Sequence, residues 1–261
     1  MHSILEEILD VKRREIEAQK RRGLPDISSV GGHNGIRDFK AAISSRERVG
    51  LVAEIKFSSP SAGRIRPISD PAEIARMYEE MGAAAISILT DKTFFNGDIR
   101  YLSQVKAAVS LPVLRKDFII DPFQIEESYI YNADAVLLIA RLLSTERLSL
   151  LLSACRDCGI SALTEIHDRN DFDKAIQCGA DVIGINNRNL DTFEVNLDTT
   201  RELAVSIPED VVLISESGFR GREDIEAMKD MGIHSVLVGS AIMESADPAS
   251  KTRELVEAGK C

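Results

Sequence analysis

A (β/α)8 TIM barrel with an N-terminal helical extension is the fold this sequence predicts, and three observations carry the prediction. Eight short apolar runs recur, starting at residues 51, 84, 112, 133, 161, 181, 211 and 235. Most are near-continuous hydrophobic stretches, as in parallel strands covered on both faces, rather than the alternation of a half-exposed sheet. Each is followed by a segment of helical periodicity, and polar residues collect at the C-terminal ends of the runs, the end at which such a barrel carries its site. A doubly wound open sheet is the competing arrangement. It usually has fewer units and a glycine-rich first turn, and no G-x-G-x-x-G follows the first run.

Residues 1–45 precede the first run. Ile4, Leu5, Ile8, Leu9 and Ile16 follow helical spacing among charges, which predicts a helix with one apolar face. A loop, GLPDISSVGGHNG, and a short helix around DFKAAIS come next, and the whole extension is expected to pack on the barrel rather than stand free or bind a partner. LVAEI (51–55) is the first strand, and PAEIARMYEEMGA its helix, with Asp70 as N-cap, Pro71 in the first turn and Gly82 as the stop. The pattern continues with AAISILT and YLSQVKAAVS, PVLRKDF and DPFQIEESYIYN, ADAVLLIA and TERLSLLLSACRDCG. It closes with SALTEIH and NDFDKAIQCGA, DVIGINN and LDTTRELAVSI, VVLISES and GREDIEAMKDMG, SVLVGSA and DPASKTRELVEAG. Residues 1–261 are therefore read as one barrel domain, with 1–45 as its extension.

A chain of 261 residues, 44% apolar and 28% charged, can bury a full core. Its net charge of −10 argues against a nucleic-acid surface, but leaves room for a small anion at a locally basic site. The first 22 residues are too charged for a signal-peptide core, and no apolar stretch approaches the roughly 18 residues of a membrane helix. The protein is expected in the cytoplasm, without membrane partners, as a monomer or weak homo-oligomer. Four cysteines do not make a disulfide framework. Cys155 and Cys158 form a C-x-x-C at a helix end, where both can pack; metal or redox use would want a second pair or a nearby His.

The ends of the runs hold the chemistry. Glu54 and Lys56 close the first, Lys116 the third, Glu165 the fifth, Asn186 and Arg188 the sixth, Glu216, Ser217 and Gly218 the seventh, Gly239 and Ser240 the eighth. Residues two apart on a strand share a face. If these point inward, one mouth collects three carboxylates, two ammoniums, a guanidinium and an amide. A polar layer that merely closes the barrel is the alternative reading. The glycine-bearing ends of the seventh and eighth runs suit a phosphate cradle of backbone N–H groups; two tight turns are the plainer reading. His167 shares parity with Glu165 and is weighed as a base, but is expected as a solvated loop histidine. His2, His33 and His234 carry no pattern.

The motifs E-I-K-x-x-S-P-S-x-G (54–63), F-F-N-G (94–97), L-R-K-D-F-I-I-D-P (114–122), E-I-H-D (165–168), G-I-N-N-R-N-L (184–190), S-E-S-G (215–218) and V-G-S (238–240) resemble those of the indole-3-glycerol-phosphate synthase family, in order and across the chain. Other phosphate-binding barrels, such as phosphoribosylanthranilate isomerase, share the site after the seventh and eighth strands but not this set. The resemblance implies a lyase of tryptophan biosynthesis acting on a phosphosugar, 1-(2-carboxyphenylamino)-1-deoxyribulose 5-phosphate, with no cofactor and no metal. It implies Lys116 as general acid, Glu165 as general base and Lys56 as a contact to the substrate's anionic groups that can itself act as an acid. Glu54, Asn186 and Glu216 would orient these groups. Ser59, Arg188, Ser217, Gly218, Gly239 and Ser240 would bind substrate, the last three mainly phosphate. Phe95, Phe118, Leu137 and Leu190 would wall the anthranilate ring. Phe57 and Ser58, the segment after Phe94-Phe95, and Tyr131-Asn132-Ala133 depart from the family pattern. Two other functions are consistent with parts of the pattern: a phosphosugar aldose–ketose isomerase, which needs no aromatic-ring pocket, and a non-catalytic phosphoanion-binding subunit, which needs neither Lys116 nor Glu165.

Overall fold

The computed structural model describes residues 4–32, 34–45, 47–60, 63–190 and 192–260. Eight parallel strands close into a barrel: β1 (Gly50–Ile55), β2 (Ala85–Leu89), β3 (Val113–Lys116), β4 (Ala135–Ile139), β5 (Ser161–Ile166), β6 (Val182–Asn186), β7 (Val212–Glu216) and β8 (Ser235–Val238). Closure comes from β1, which pairs with β2 on one side and β8 on the other. The expected barrel is therefore the observed one, and the open sheet is not. Several predicted runs are longer than the strands, because Thr90, His167, Asn187 and Ser217 already belong to the loops that follow.

Helices alternate with the strands, and their ends follow the cap chemistry in the sequence. Asp70 accepts from the Ala72 N–H ahead of Pro71, Asp121 caps Pro122–Ile130 in a capping box with Gln124, and Asp168 accepts from the Asp171 N–H. Such caps satisfy otherwise orphaned first-turn donors, at about 1 kcal/mol each. Gly159, at φ 70°, ends Thr145–Cys158 in the left-handed region. Cys155 on that helix is buried in the helix–strand core, and burial pushes its thiol up to about 12.

Strand parity sorts two cores. Outward residues such as Ile86, Ile88, Leu138, Ile183 and Ile185 pack under the helices. Inward residues such as Val52, Leu114, Leu137, Leu163, Ile214 and Leu237 fill the barrel.

The extension reaches both ends of the barrel. Its first helix, Ile4–Arg22, brings Ile4, Leu5 and Ile8 onto the C-terminal mouth. One turn on, Lys12 is buried with Nζ 2.7 Å from Asp91 and 3.0 Å from Asp117. A second short helix, Phe39–Ile43, closes the opposite end. Phe39 and Ile43 join the interior cluster with Ala85, Ala135, Val182 and Val212, the first residues of their strands. Ser235, at the start of β8, donates from Oγ to the Ile43 carbonyl at 2.9 Å. Nearby, Asp134 pairs with Lys106 and accepts the backbone N–H groups of Arg37 and Val113. His234 is structural: its Nδ1 accepts the Leu213 N–H at 3.1 Å. His2 and His33 lie outside the described residues. Among those residues no helix is long and apolar enough to cross a membrane.

Candidate active site

Every residue singled out from the sequence as catalytic or substrate-binding lines one cavity at the C-terminal mouth. The charged pair at the end of β1 is an ion pair: Lys56 Nζ stands 3.0 Å from Glu54 Oε1. Lys116, at the end of β3, reaches across the barrel. Its Nζ lies 2.5 Å from Glu216 Oε2 and 3.5 Å from Glu165 Oε2. The three glutamates are buried, and Lys116 is nearly so.

A glycine in β6 and one just after β8 make the room. A Cβ on Gly184 of β6 would overlap the Glu216 carboxylate, and one on Gly239 would overlap that of Glu54. Glycine inside a strand often marks such a close approach. Gly239, expected at the phosphate, thus also makes room for Glu54, and Gly184, on the same face as Asn186, makes room for Glu216.

Burial would push Lys116 down, but Glu216, Glu165 and Glu54 hold it well above the ordinary lysine range. The two carboxylates that share it are driven apart. Burial, reinforced by Glu165 and Glu54, pushes Glu216 up to about 7 against the attraction of Lys116. Burial also acts to raise Glu165, but Lys116, His167 and the Asn186 hydrogen bond outweigh it and hold Glu165 below the usual carboxylate range. Paired groups whose surroundings split them in this way are characteristic of acid–base sites.

The opposite wall is built of backbone. Ser217 and Gly218 follow β7 at φ 68° and 98°, and a Cβ on Gly218 would press on Val195 and Leu197. Gly239 precedes the one-turn helix Ser240–Met243, whose leading N–H groups have no intrahelical acceptor. Asn187, which sequence reading passed over, braces this wall. Its Nδ2 donates to Ser215 Oγ and to the Glu216 and Ser217 carbonyls, and its Oδ1 accepts from Thr200 N–H and Oγ1. Next to it, Arg188 donates from Nη1 to the Phe193 carbonyl at 3.0 Å.

On the apolar side Phe95 and Phe118 lie with ring centroids 6.1 Å apart, beside Leu137 and Leu190. The extension's Ile4, Leu5 and Ile8 complete that side, a role that helical spacing alone does not disclose. The departures from the family motifs have local reasons. Phe57 turns away from the mouth, buried edge-on against Tyr101. Asn132 sits at φ 68°, where Asn is tolerated, and its side chain ties the Gly32 carbonyl and the Asn34 N–H to the barrel. Ser58 and Ser59 pair with Gly63–Arg64 as a small hairpin over the mouth. The expectation of a solvated His167 is wrong. Its side chain is 5% exposed and stands between Glu165 and Asp171, because the loop folds back onto the next helix.

This geometry has relatives. Residues 5–255 match the family model described as indole-3-glycerol phosphate synthase. A curated protein of Desulforamulus reducens named indole-3-glycerol phosphate synthase is 43% identical, over 98% of each chain. Among solved structures, thiamine phosphate pyrophosphorylase from Pyrococcus furiosus superposes with a TM-score of 0.60 over 82% of this chain and 96% of its own; at 16% identity it shares the fold alone. The family model and the curated relative both cover the segments that build the mouth, from the first helix to the turn after β8, and the chain belongs to the indole-3-glycerol phosphate synthase family of lyases.

Proposed function

We propose that Lys116 and Glu165 are the general acid and general base with which this lyase of tryptophan biosynthesis makes indole-3-glycerol phosphate. The substrate is 1-(2-carboxyphenylamino)-1-deoxyribulose 5-phosphate. An aromatic carbon must attack a ketone, and it is a weak nucleophile. Proton donation to the ketone oxygen as charge develops makes the carbonyl a better target. Loss of the carboxylate as CO2 restores aromaticity, so the carbon skeleton supplies its own electron sink. Dehydration then needs a base for one proton and an acid for the departing hydroxyl. The balance is a net uptake of one proton: two are given to the former ketone oxygen, which leaves as water, and one is taken from the substrate's methylene carbon.

The observation that carries this reading is the Lys116 ammonium held between two carboxylates of opposite tendency. Glu165 is the ionised partner and is suited to the base. Glu216 can take a proton near neutrality, which loosens its hold on Lys116. A separation of 3.5 Å also lets the proton collected by Glu165 return to Lys116. Lys56, paired with Glu54, would meet the anionic groups together with Arg188 and Ser59. The glycine-bearing turns after β7 and β8 would hold phosphate, and Phe95, Phe118, Leu137 and Leu190 the ring.

Lys116→Ala and Glu165→Gln are each expected to lower kcat by about 10²- to 10⁴-fold with unchanged circular dichroism. Turnover is read by indole fluorescence, against a chain with no tryptophan of its own. Near-normal rates in both variants would remove these roles.

A further inference from the structure

His167 takes no part in the reaction as described above, yet it is built into the site. Its Nε2 lies 3.3 Å from Glu165 Oε1 and its Nδ1 3.6 Å from Asp171 Oδ2. Among the described residues neither buried ring nitrogen has a well-formed hydrogen bond, so the imidazole is held by packing between two carboxylates. Asp171 is a fixed anchor. It lies in the first turn of Arg169–Gln177, its backbone N–H donates to Asp168 Oδ1 at 2.9 Å, and its Oδ2 accepts the His167 backbone N–H at 3.2 Å. Lys174 stands 3.7 Å from its other oxygen and donates to the carbonyls of Ala140 and Leu143. Arg141 lies 4.0 Å from the neighbouring Asp168.

Glu165 is thus held at both oxygens: Oε1 by His167, Oε2 by Lys116, with a hydrogen bond from Asn186. Lys116 cannot serve as a constant partner, because it also faces Glu216 and, as the acid, gives its proton to substrate. Once it has done so, Glu165 loses one cation just before a base is required. We infer that His167 is a positioning residue for Glu165: backed by Asp171, its ring fixes the plane of the Glu165 carboxylate while Lys116 is engaged with substrate. This rests on Glu165 being the base.

The test is a pH profile of kcat and KM for His167→Leu and His167→Gln. The leucine variant is expected to lose about tenfold in kcat, as a slightly misplaced catalytic group does, with KM within about twofold of wild type. His167 is one of the groups that hold Glu165 below the usual carboxylate range, so without it the acidic limb of kcat should move to higher pH. Glutamine keeps an N–H donor but not the imidazole; it should restore most of the plateau kcat while leaving the limb displaced. Wild-type kcat and an unmoved limb in folded His167→Leu would overturn the inference. Should that variant not fold, imidazole 15N spectra decide. The His167 resonances should differ between wild type and Glu165→Gln at the same pH, and identical spectra would overturn it. The two readings fail separately. Turnover surviving in Glu165→Gln removes the base, whereas a dead Glu165→Gln beside indifferent His167 variants removes only the positioning role.

Discussion

Glu216 meets Lys116 at 2.5 Å through one carboxylate oxygen, while the other is buried against the space left by Gly184, with no hydrogen-bond partner among the described residues. A buried carboxylate in that position is a stability cost with a definite pH signature. Its ordinary value of 4.5 is raised to about 7 on folding, first by burial and then by Glu165 and Glu54. Between those values the folded chain binds more protons than the unfolded one, so this group's contribution is fully present below about 4.5 and is lost as pH rises through about 7. The loss is on the order of 3 kcal/mol at 1.36 kcal/mol per unit. Glu216→Gln should therefore melt with wild type near pH 4 and several degrees above it at pH 8, while turning over more slowly because Lys116 has lost an orienting partner. Equal melting temperatures at both pH values, by calorimetry, would show that Glu216 is not strained in the folded state. At this scale much of the site could be read in advance. Charged or amide side chains at five strand ends on one side of a barrel are improbable as packing, and parity alone predicts which side chains converge. Gly184, Asn187 and His167 could not be read in the same way. A glycine's purpose depends on the side chain that fills its space, and the partners of His167 and Asn187 include residues that chain folding, not strand parity, brings near.

The N-terminal helix shows the same limit at the scale of an element. Helical spacing predicted its apolar stripe, but not that Ile4, Leu5 and Ile8 would face the substrate cavity, nor that Lys12 on the same face would be an internal ion. Lys12 joins the helix to two segments that carry aromatic wall residues. Asp91 caps the turn Lys92–Phe95 by accepting the Phe94 and Phe95 N–H groups, and Asp117, next to Lys116, accepts the Phe118 N–H. Burial opposes the charge on Lys12, but Asp117 and Asp91 hold it well above the ordinary lysine range. Removing one partner of a buried ion pair costs about 3–5 kcal/mol, because the other charges remain. Lys12→Met should accordingly loosen the helix and with it the aromatic end of the pocket. The expected result is a KM raised by roughly an order of magnitude with kcat little changed, together with faster tryptic cleavage after Arg21 and Arg22. A lowered kcat at unchanged KM would instead place the effect of Lys12 on Lys116 through Asp117.

Across the whole molecule the two ends of the barrel do different work. In barrels of this kind the C-terminal face carries chemistry and the N-terminal face carries stability, and this chain supplies both ends from one extension. The mouth is lined with strained, charged groups. The base is an apolar plug, Phe39 and Ile43, ringed by the first residues of the strands and locked by Asp134 with Lys106 and the Arg37 backbone. Arg37 adds its own donors to the carbonyls of Leu111 and Lys106. A fully buried phenylalanine in such a plug should be worth about 3–5 kcal/mol against alanine. It lies the length of the strands away from Lys116, with the interior layer of Leu114, Leu137, Leu163, Ile214 and Leu237 between. Phe39→Ala is therefore expected to lower the melting temperature by roughly 10 °C, at about 2–4 °C per kcal/mol for a chain of this size, while folded protein at 20 °C keeps kcat and KM within about twofold. Lys116→Ala should lose turnover by orders of magnitude, and whatever stability it loses should come from the two buried carboxylates left without their cation, not from the plug. If Phe39→Ala instead slowed catalysis in proportion to its loss of stability, the interior layer would have to be transmitting strain from plug to mouth. The division of labour between the two faces would then be false for this chain.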